Sequence, residues 1–328
     1  MLGVQWKNPR TQRAFYSYSK DWLLVLLMLS VFFAIDLIMP FHRQFSVEDK
    51  TLMYTFTEHE TVPAWSLVLI CLLGPALLIG IISIHFQKST RDFFIGVLGL
   101  FLALSMTIML TDIIKITAGR PRPDFLARCK PPLDVIDPPL GLSDYTICTT
   151  PIDSYIMRDG FKSFPSGHSS FSFAGLGYFA FYLAGKMHIF DERGHTYKCF
   201  LFAFPCIAAL LVAISRTRDN RHHWQDVLIG SLLGAGCAYF AYRQYYPSLI
   251  VAECELPYNA RFGSIDLSEE ERPIMYEEEE DEEANLESGN RCEESSSTTI
   301  QTPSDEQRYR KHVSSISRGS ISSGIARF

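Results

Sequence analysis

Six stretches of this 328-residue chain are apolar over most of a bilayer's thickness, at about 22–40, 63–86, 93–114, 168–187, 199–214 and 226–246. Nothing else in the sequence restricts the fold as much. A soluble helix keeps a polar face, whereas these runs are apolar on every side. The expected fold is therefore all-α and integral to a membrane, with six transmembrane helices. The fifth run is short, and glycines in the second and sixth suit close helix packing. The first run follows Lys7, Arg10, Arg13 and Lys20, as a signal peptide's apolar segment would. It is long for such a segment and no clear small-x-small cleavage site follows, so it reads as a retained anchor.

Charge divides the chain. The formal net charge is −6, yet residues 249–328 hold 8 Lys and Arg against 18 Asp and Glu. That leaves −10 on the tail and +4 on the remainder, so the total says little about what the protein binds. The tail has no apolar period. It carries an acidic run at 277–283 and Ser/Thr-rich stretches at 295–299 and 314–323. Such composition predicts disorder, as a solvated extension or a phosphorylated regulatory segment. The expected divisions are a cytosolic N-terminal segment (1–21), a six-helix domain (22–247) and a disordered cytosolic tail (248–328).

Orientation follows from loop charge. The N-terminal segment, the second loop (Lys88, Arg91), the fourth loop (Lys186, Arg193, Lys198) and Arg243 should be cytosolic. The first loop sets Glu48, Asp49, Glu58 and Glu60 against Arg43 and Lys50, so it should be lumenal or extracytoplasmic. The third and fifth loops share its side, and both termini fall in the cytosol. Cys129 and Cys148 lie together in the third loop, where oxidation is permitted. A disulfide between them is expected, two free thiols being the alternative. Cys71, Cys199, Cys206 and Cys237 read as small apolar residues within spans, and no cysteines have zinc-site spacing.

Three segments at the ends of apolar runs share a chemical theme: Lys115 with Arg122-Pro123, Pro165-Ser166-Gly167-His168, and Ser215-Arg216 with His222 and Asp226. They supply three cations, a hydroxyl, a glycine backbone, two histidines and a carboxylate. A phosphate ester needs such groups if it is cleaved without a metal. Cations and N–H donors hold phosphoryl oxygens, one histidine attacks phosphorus, and the other protonates the leaving oxygen. Each residue also has a plainer reading. Lys115 is a snorkelling lysine or an ion-pair partner of Asp112 one turn earlier. Ser166 is a helix N-cap, at a terminus that also favours anions. His222 and Asp226 are four apart and share a face if the sixth helix has begun by His222, in which case the carboxylate can hold the imidazole tautomer. Spacing alone leaves His223 open as well. Arg218, Asp219 and Arg221 read as solvated loop charges. Three nearby cations would repel a divalent ion, so no metal is expected.

Taken in order, Lys-x6-Arg-Pro, Pro-Ser-Gly-His and Ser-Arg-x5-His-x3-Asp resemble the signature of the type 2 phosphatidic acid phosphatases, or lipid phosphate phosphatases. The resemblance covers roughly residues 20–247, and every fixed position is filled. Arg-Pro-Asp-Phe-Leu (122–126) and Arg-His-His-Trp-Gln-Asp (221–226) are similar to the fungal diacylglycerol pyrophosphate phosphatase branch. The resemblance implies metal-independent hydrolysis of phosphatidate, lysophosphatidate or diacylglycerol pyrophosphate, with no cofactor. It selects His222 as the nucleophile and His168 as the general acid, with Asp226 behind the nucleophile. Lys115, Arg122, Ser166, Gly167 and Arg216 would bind phosphate. The partner is a phospholipid in the bilayer, without nucleic acid. The membrane could be vacuolar, Golgi, endoplasmic-reticulum or plasma membrane. A polyisoprenyl (dolichyl) diphosphate phosphatase carries much the same motifs, and a non-catalytic lipid-binding relative is the remaining alternative. On the expected topology, Asp144→Cys reacts with an impermeant maleimide added from the lumenal or extracellular side. Labelling from the cytosolic side alone overturns the orientation.

Overall fold

Each apolar run falls on a helix, and the helices of the first, third and fifth runs extend well beyond them. The computed structural model describes residues 9–190, 195–251 and 253–258, with side chains from Tyr16 onward. The helices are α1 (Pro9–Asp36), α2 (Ala64–Phe86), α3 (Thr90–Ala118), the short α4 (Phe125–Cys129) and α5 (Tyr155–Gly160), α6 (Gly167–Lys186), α7 (Thr196–Arg218) and α8 (Trp224–Tyr245). Among the described residues there is no β-sheet. The acidic, Ser-rich part of the tail lies outside them. The short fifth run is embedded in the 23 residues of α7, because polar residues at both ends continue a helix without adding to its apolar length.

Four helices, α1 (over Tyr16–Asp36), α2, α3 and α7, are long and apolar enough to cross a membrane. In α6 and α8, serines, glycines and tyrosines replace many large aliphatic residues. Packing explains the difference. α6 is the central helix, touching α2, α3, α7 and α8, so its surface meets other helices and needs small residues for close approach. By contrast α1, α2 and α7 present exposed Leu23, Phe33, Leu77, Phe200 and Phe204.

One contact shows how tightly α6 is seated. Pro75 lacks the N–H that would bond the Cys71 carbonyl, and a π-helical turn over Leu69–Leu73 precedes it. Gly175 of α6 lies against that carbonyl so closely that a Cβ would overlap it.

The first and third loops fold together at one end of the bundle. Phe45, Leu52, Phe125, Met157 and Phe161 form a second apolar core beside the Cys129–Cys148 disulfide. Phe45 and Ser143 exchange backbone hydrogen bonds at 2.9–3.0 Å. Gly119 closes α3 in the left-handed conformation (φ 53°), pressed against the Phe41 carbonyl. These loops gather where α3 and α7 end and α6 and α8 begin.

Gly175→Ala should lower thermal stability in detergent by about 1–3 kcal/mol, since a methyl must push two helices apart. Gly236→Ala, with nothing within 4 Å of its added Cβ, should be neutral or raise stability by up to about 1 kcal/mol. Equal unfolding midpoints for the two variants would contradict the close packing of α2 on α6.

Candidate active site

A cavity of about 600 Å³ opens at that end of the bundle. Six of the eight motif residues line it: Lys115 from the last turn of α3, Arg122, Gly167 and His168 from the start of α6, Arg216 from the end of α7, and His222. Residues more than a hundred positions apart thus meet because four helix ends meet. The other two, Ser166 and Asp226, are buried behind the wall.

Ser166 is the N-cap of α6. Its hydroxyl accepts from the Ser169 N–H at 3.5 Å and from the Ser169 hydroxyl at 3.0 Å. The structure thus places Ser166 as a cap, away from the cavity surface. Gly167, next in sequence, does reach the cavity. A Cβ there would stand 3.2 Å from Lys115 Nζ, so the missing side chain lets a cation approach the helix N-terminus.

The His222–Asp226 pairing expected from their spacing is not a hydrogen bond. His222 Nδ1 lies 4.0 Å from the carboxylate and instead donates to the Ser163 carbonyl at 2.7 Å. Nε2 is then the nitrogen left with a lone pair, on a ring that lines the cavity. The reason lies in what Asp226 already holds. Its carboxylate, 0% exposed, accepts from Arg120 at 2.6 Å, the Ser163 hydroxyl at 2.6 Å and the His223 N–H at 3.0 Å. His223 is the N-cap of α8, in a capping box with Asp226. Asp226 therefore acts on His222 through Ser163, which touches both.

Burial, with Arg122 and Lys115 close by, holds the His222 pKa well below the usual histidine value. His168 Nε2 donates to the Val62 carbonyl at 3.1 Å and lies 3.9 Å from Glu60.

Most cavity cations have protein partners. Arg122 is forked onto Asp159, through Nη2 to the carboxylate at 2.6 Å and Nε to the carbonyl at 2.8 Å. Arg216 bonds Glu60 and Asp219, each at 2.9 Å. Arg128 bonds Asp124 and Asp159. Burial pushes the Asp159 carboxyl up, but Arg122, Arg128, Lys115 and Arg221 outweigh it and hold the group below the usual range. Lys115 differs: among the described residues its ammonium makes no hydrogen bond or ion pair, and Asp112 does not pair with it. Asp219 and Arg221 are buried, which corrects their reading as solvated loop charges; Arg218 is exposed as expected.

Sequence reasoning missed Ser163, Arg120, Asp159 and Arg221. Its one usable signal was the abundance of arginine in the third and fifth loops, and that signal does not say which arginines are already paired. Among the described residues no three His, Cys, Asp or Glu side chains gather as a metal site.

Comparison with known proteins shows the family. Residues 96–249 match the PAP2 superfamily model. A probable diacylglycerol pyrophosphate phosphatase 1 of Schizosaccharomyces pombe is 39% identical over 232 residues, 71% of this chain and 82% of that relative. Lipid phosphate phosphatase 2 of Arabidopsis thaliana is 38% identical over 69% of this chain and 77% of its own length. Diacylglycerol pyrophosphate phosphatase 1 of Saccharomyces cerevisiae is 35% identical over 77% and 86%. No solved structure matches. The chain belongs to the PAP2 superfamily.

The depressed His222 pKa has a definite sign. The folded state binds fewer protons there than the unfolded one, so this group's contribution to stability is present above the ordinary value of 6.5. It is lost as pH falls toward the lower folded pKa. Histidine NMR should show His222 neutral, with Nδ1 protonated, at pH 6. Arg122→Met, which removes the strongest nearby charge, should move its titration upward. A His222 titration at 6.5 or above in the unmodified protein overturns this.

Proposed function

We propose that the protein is a membrane lipid phosphatase working through a phosphohistidine, and that Lys115, Arg122, Gly167 and Arg216 hold the phosphoryl oxygens. One observation carries the reading. His222 lines the cavity with its Nδ1 proton committed to Ser163, leaving Nε2 unprotonated in the same cavity as the unpartnered Lys115. A phosphoryl group meets a nucleophile and a free cation there.

His222 Nε2 attacks phosphorus in line and the bond to the leaving oxygen breaks. His168, carrying a proton on both ring nitrogens once the phosphate's negative charge is in the cavity, delivers one to that oxygen and is left as a neutral imidazole. Water, giving a proton to His168 as base, then attacks phosphorus; the P–N bond breaks, its electron pair returns to His222 Nε2, and phosphate is released. Asp226 and Ser166 hold this machinery from behind the wall. Metal has no step in this scheme.

The substrates are phosphatidate, lysophosphatidate and diacylglycerol pyrophosphate, in keeping with the names of the relatives. α6 and α8 complete a six-span domain over 22–247, since their modest hydropathy comes from facing other helices. The cavity then opens on the lumenal side, with both termini cytosolic, and a lipid headgroup enters while its chains stay in the bilayer.

The test uses detergent-purified protein with excess EDTA, phosphatidate and an aryl phosphate as substrates, and acid-quench trapping of phosphohistidine. Activity should survive chelation, and vanadate should inhibit it. His222→Ala should trap no phosphoenzyme. His168→Ala should lose about 10²–10⁴-fold on phosphatidate and less on the aryl phosphate, whose leaving group needs no proton. His223→Ala should lose much less. Trapping that persists in His222→Ala and vanishes in His223→Ala moves the nucleophile to His223.

A further inference from the structure

The cavity contains a second anion position, and the protein fills it with its own carboxylate. Glu60, from the loop before α2, accepts from Arg216 Nη1 at 2.9 Å. It also lies 3.4 Å from Arg221 Nη2 and 3.9 Å from His168 Nε2. Two guanidinium groups and an imidazole thus surround one carboxylate.

Arg221 has capacity to spare. It is 7% exposed, and its Nε is buried without a hydrogen-bond partner. Its other contacts are the Thr57 carbonyl at 2.8 Å, Asp159 at 3.8 Å and the face of Phe56 at 4.7 Å. A buried guanidinium donor left unpaired on a cavity wall is costly unless a ligand completes it. Lys115 and the Gly167 terminus offer a separate place for an anion. A lipid monophosphate has one phosphoryl group, whereas a diphosphate has two.

We propose that Glu60 stands where the second, departing phosphoryl group of a lipid diphosphate binds, and that Arg221 is the residue that selects diphosphates over monophosphates. This rests on the phosphatase reading above and adds the residues that receive a diphosphate's second phosphoryl group. An arriving diphosphate displaces Glu60, takes over its contact with Arg216 and gains the idle Nε of Arg221. When the anhydride P–O bond breaks, the electron pair moves onto the departing phosphoryl group, where both arginines meet the charge. Proximity to His168 places this position on the leaving-group side. The shared ligand chemistry is a diphosphate monoester, glycerolipid or isoprenoid.

The experiment compares the unmodified enzyme, Glu60→Gln and Arg221→Gln in detergent, using methylenediphosphonate and vanadate as inhibitors. Glu60→Gln should tighten methylenediphosphonate on the order of tenfold, by freeing two charge-assisted donors, and tighten vanadate clearly less, since of the two arginines only Arg216 also meets the transferred phosphoryl group. Arg221→Gln should weaken methylenediphosphonate on the order of tenfold. It should also lower kcat/KM on diacylglycerol pyrophosphate and an isoprenyl diphosphate by a similar factor relative to phosphatidate. A fall on only one of the diphosphates supports the proposal and names the lipid. Parallel changes for vanadate and methylenediphosphonate overturn it, because Glu60 would then mark the transferred phosphoryl group. So does an equal fall on phosphatidate and both diphosphates. Should Arg221→Gln fail to fold, Glu60→Gln decides, since it removes no cation. If the unmodified enzyme hydrolyses no lipid phosphate at all, the phosphatase reading falls and this proposal with it.

Discussion

The Asp226 carboxylate is the contact on which the rest of the site depends. Wholly enclosed, it must be fully partnered, because a buried charge without partners costs several kcal/mol. Its partners come from three places in the chain: Arg120 after α3, Ser163 before α6 and His223 at the start of α8. Its backbone carbonyl accepts a fourth bond, from the Ser166 N–H at 3.0 Å. Satisfying one carboxylate therefore locks together the ends of three helices. Ser163, fixed by its hydroxyl to Asp226, presents its carbonyl to His222 and sets which imidazole nitrogen keeps its lone pair.

A second polar knot closes the far end of the same helices. Asp92, in the first turn of α3, accepts from Lys186 at 2.7 Å, Tyr182 at 2.7 Å and Tyr246 at 2.9 Å. At 1.5 Å per residue it lies about 35 Å along α3 from Lys115. Between the knots the packing is largely apolar, with glycines such as Gly175 setting how close the backbones come. Non-directional contacts alone would let helices slide. A satisfied polar cluster at each end makes sliding expensive, so α3, α6 and α8 keep the register that the cavity requires.

Cations gathered around the site mostly serve this internal order. Arg120 bonds Asp226, Arg128 bonds Asp124, and Lys162 bonds Asp36. Pairing of this kind lets so much charge sit beside a bilayer, and among the described residues it leaves Lys115 without a hydrogen bond or ion pair. The loop acid Glu60 counts in sequence only as part of an acidic loop, yet in the fold it enters the cavity.

Some of this was legible without a structure. The apolar runs determined the helices, because a long apolar segment has few ways to satisfy its backbone other than as a helix. The family resemblance carried by the three motifs implied that eight residues would act together; Lys115, Arg122, Gly167, His168, Arg216 and His222 line one cavity, whereas Ser166 and Asp226 lie behind it. Spacing misled at His222 and Asp226: residues four apart on a helix are neighbours, but His222 precedes the first turn of α8, so its ring turns to Ser163 instead. Choosing partners fell to tertiary structure alone. The pairs that matter are separated by 59 residues for Ser163 and His222, 106 for Arg120 and Asp226, and 156 for Glu60 and Arg216. Local sequence states that a charge is present. Only the packing of distant helix ends decides which opposite charge reaches it first, because a buried ion takes whichever partner the fold brings within hydrogen-bonding distance.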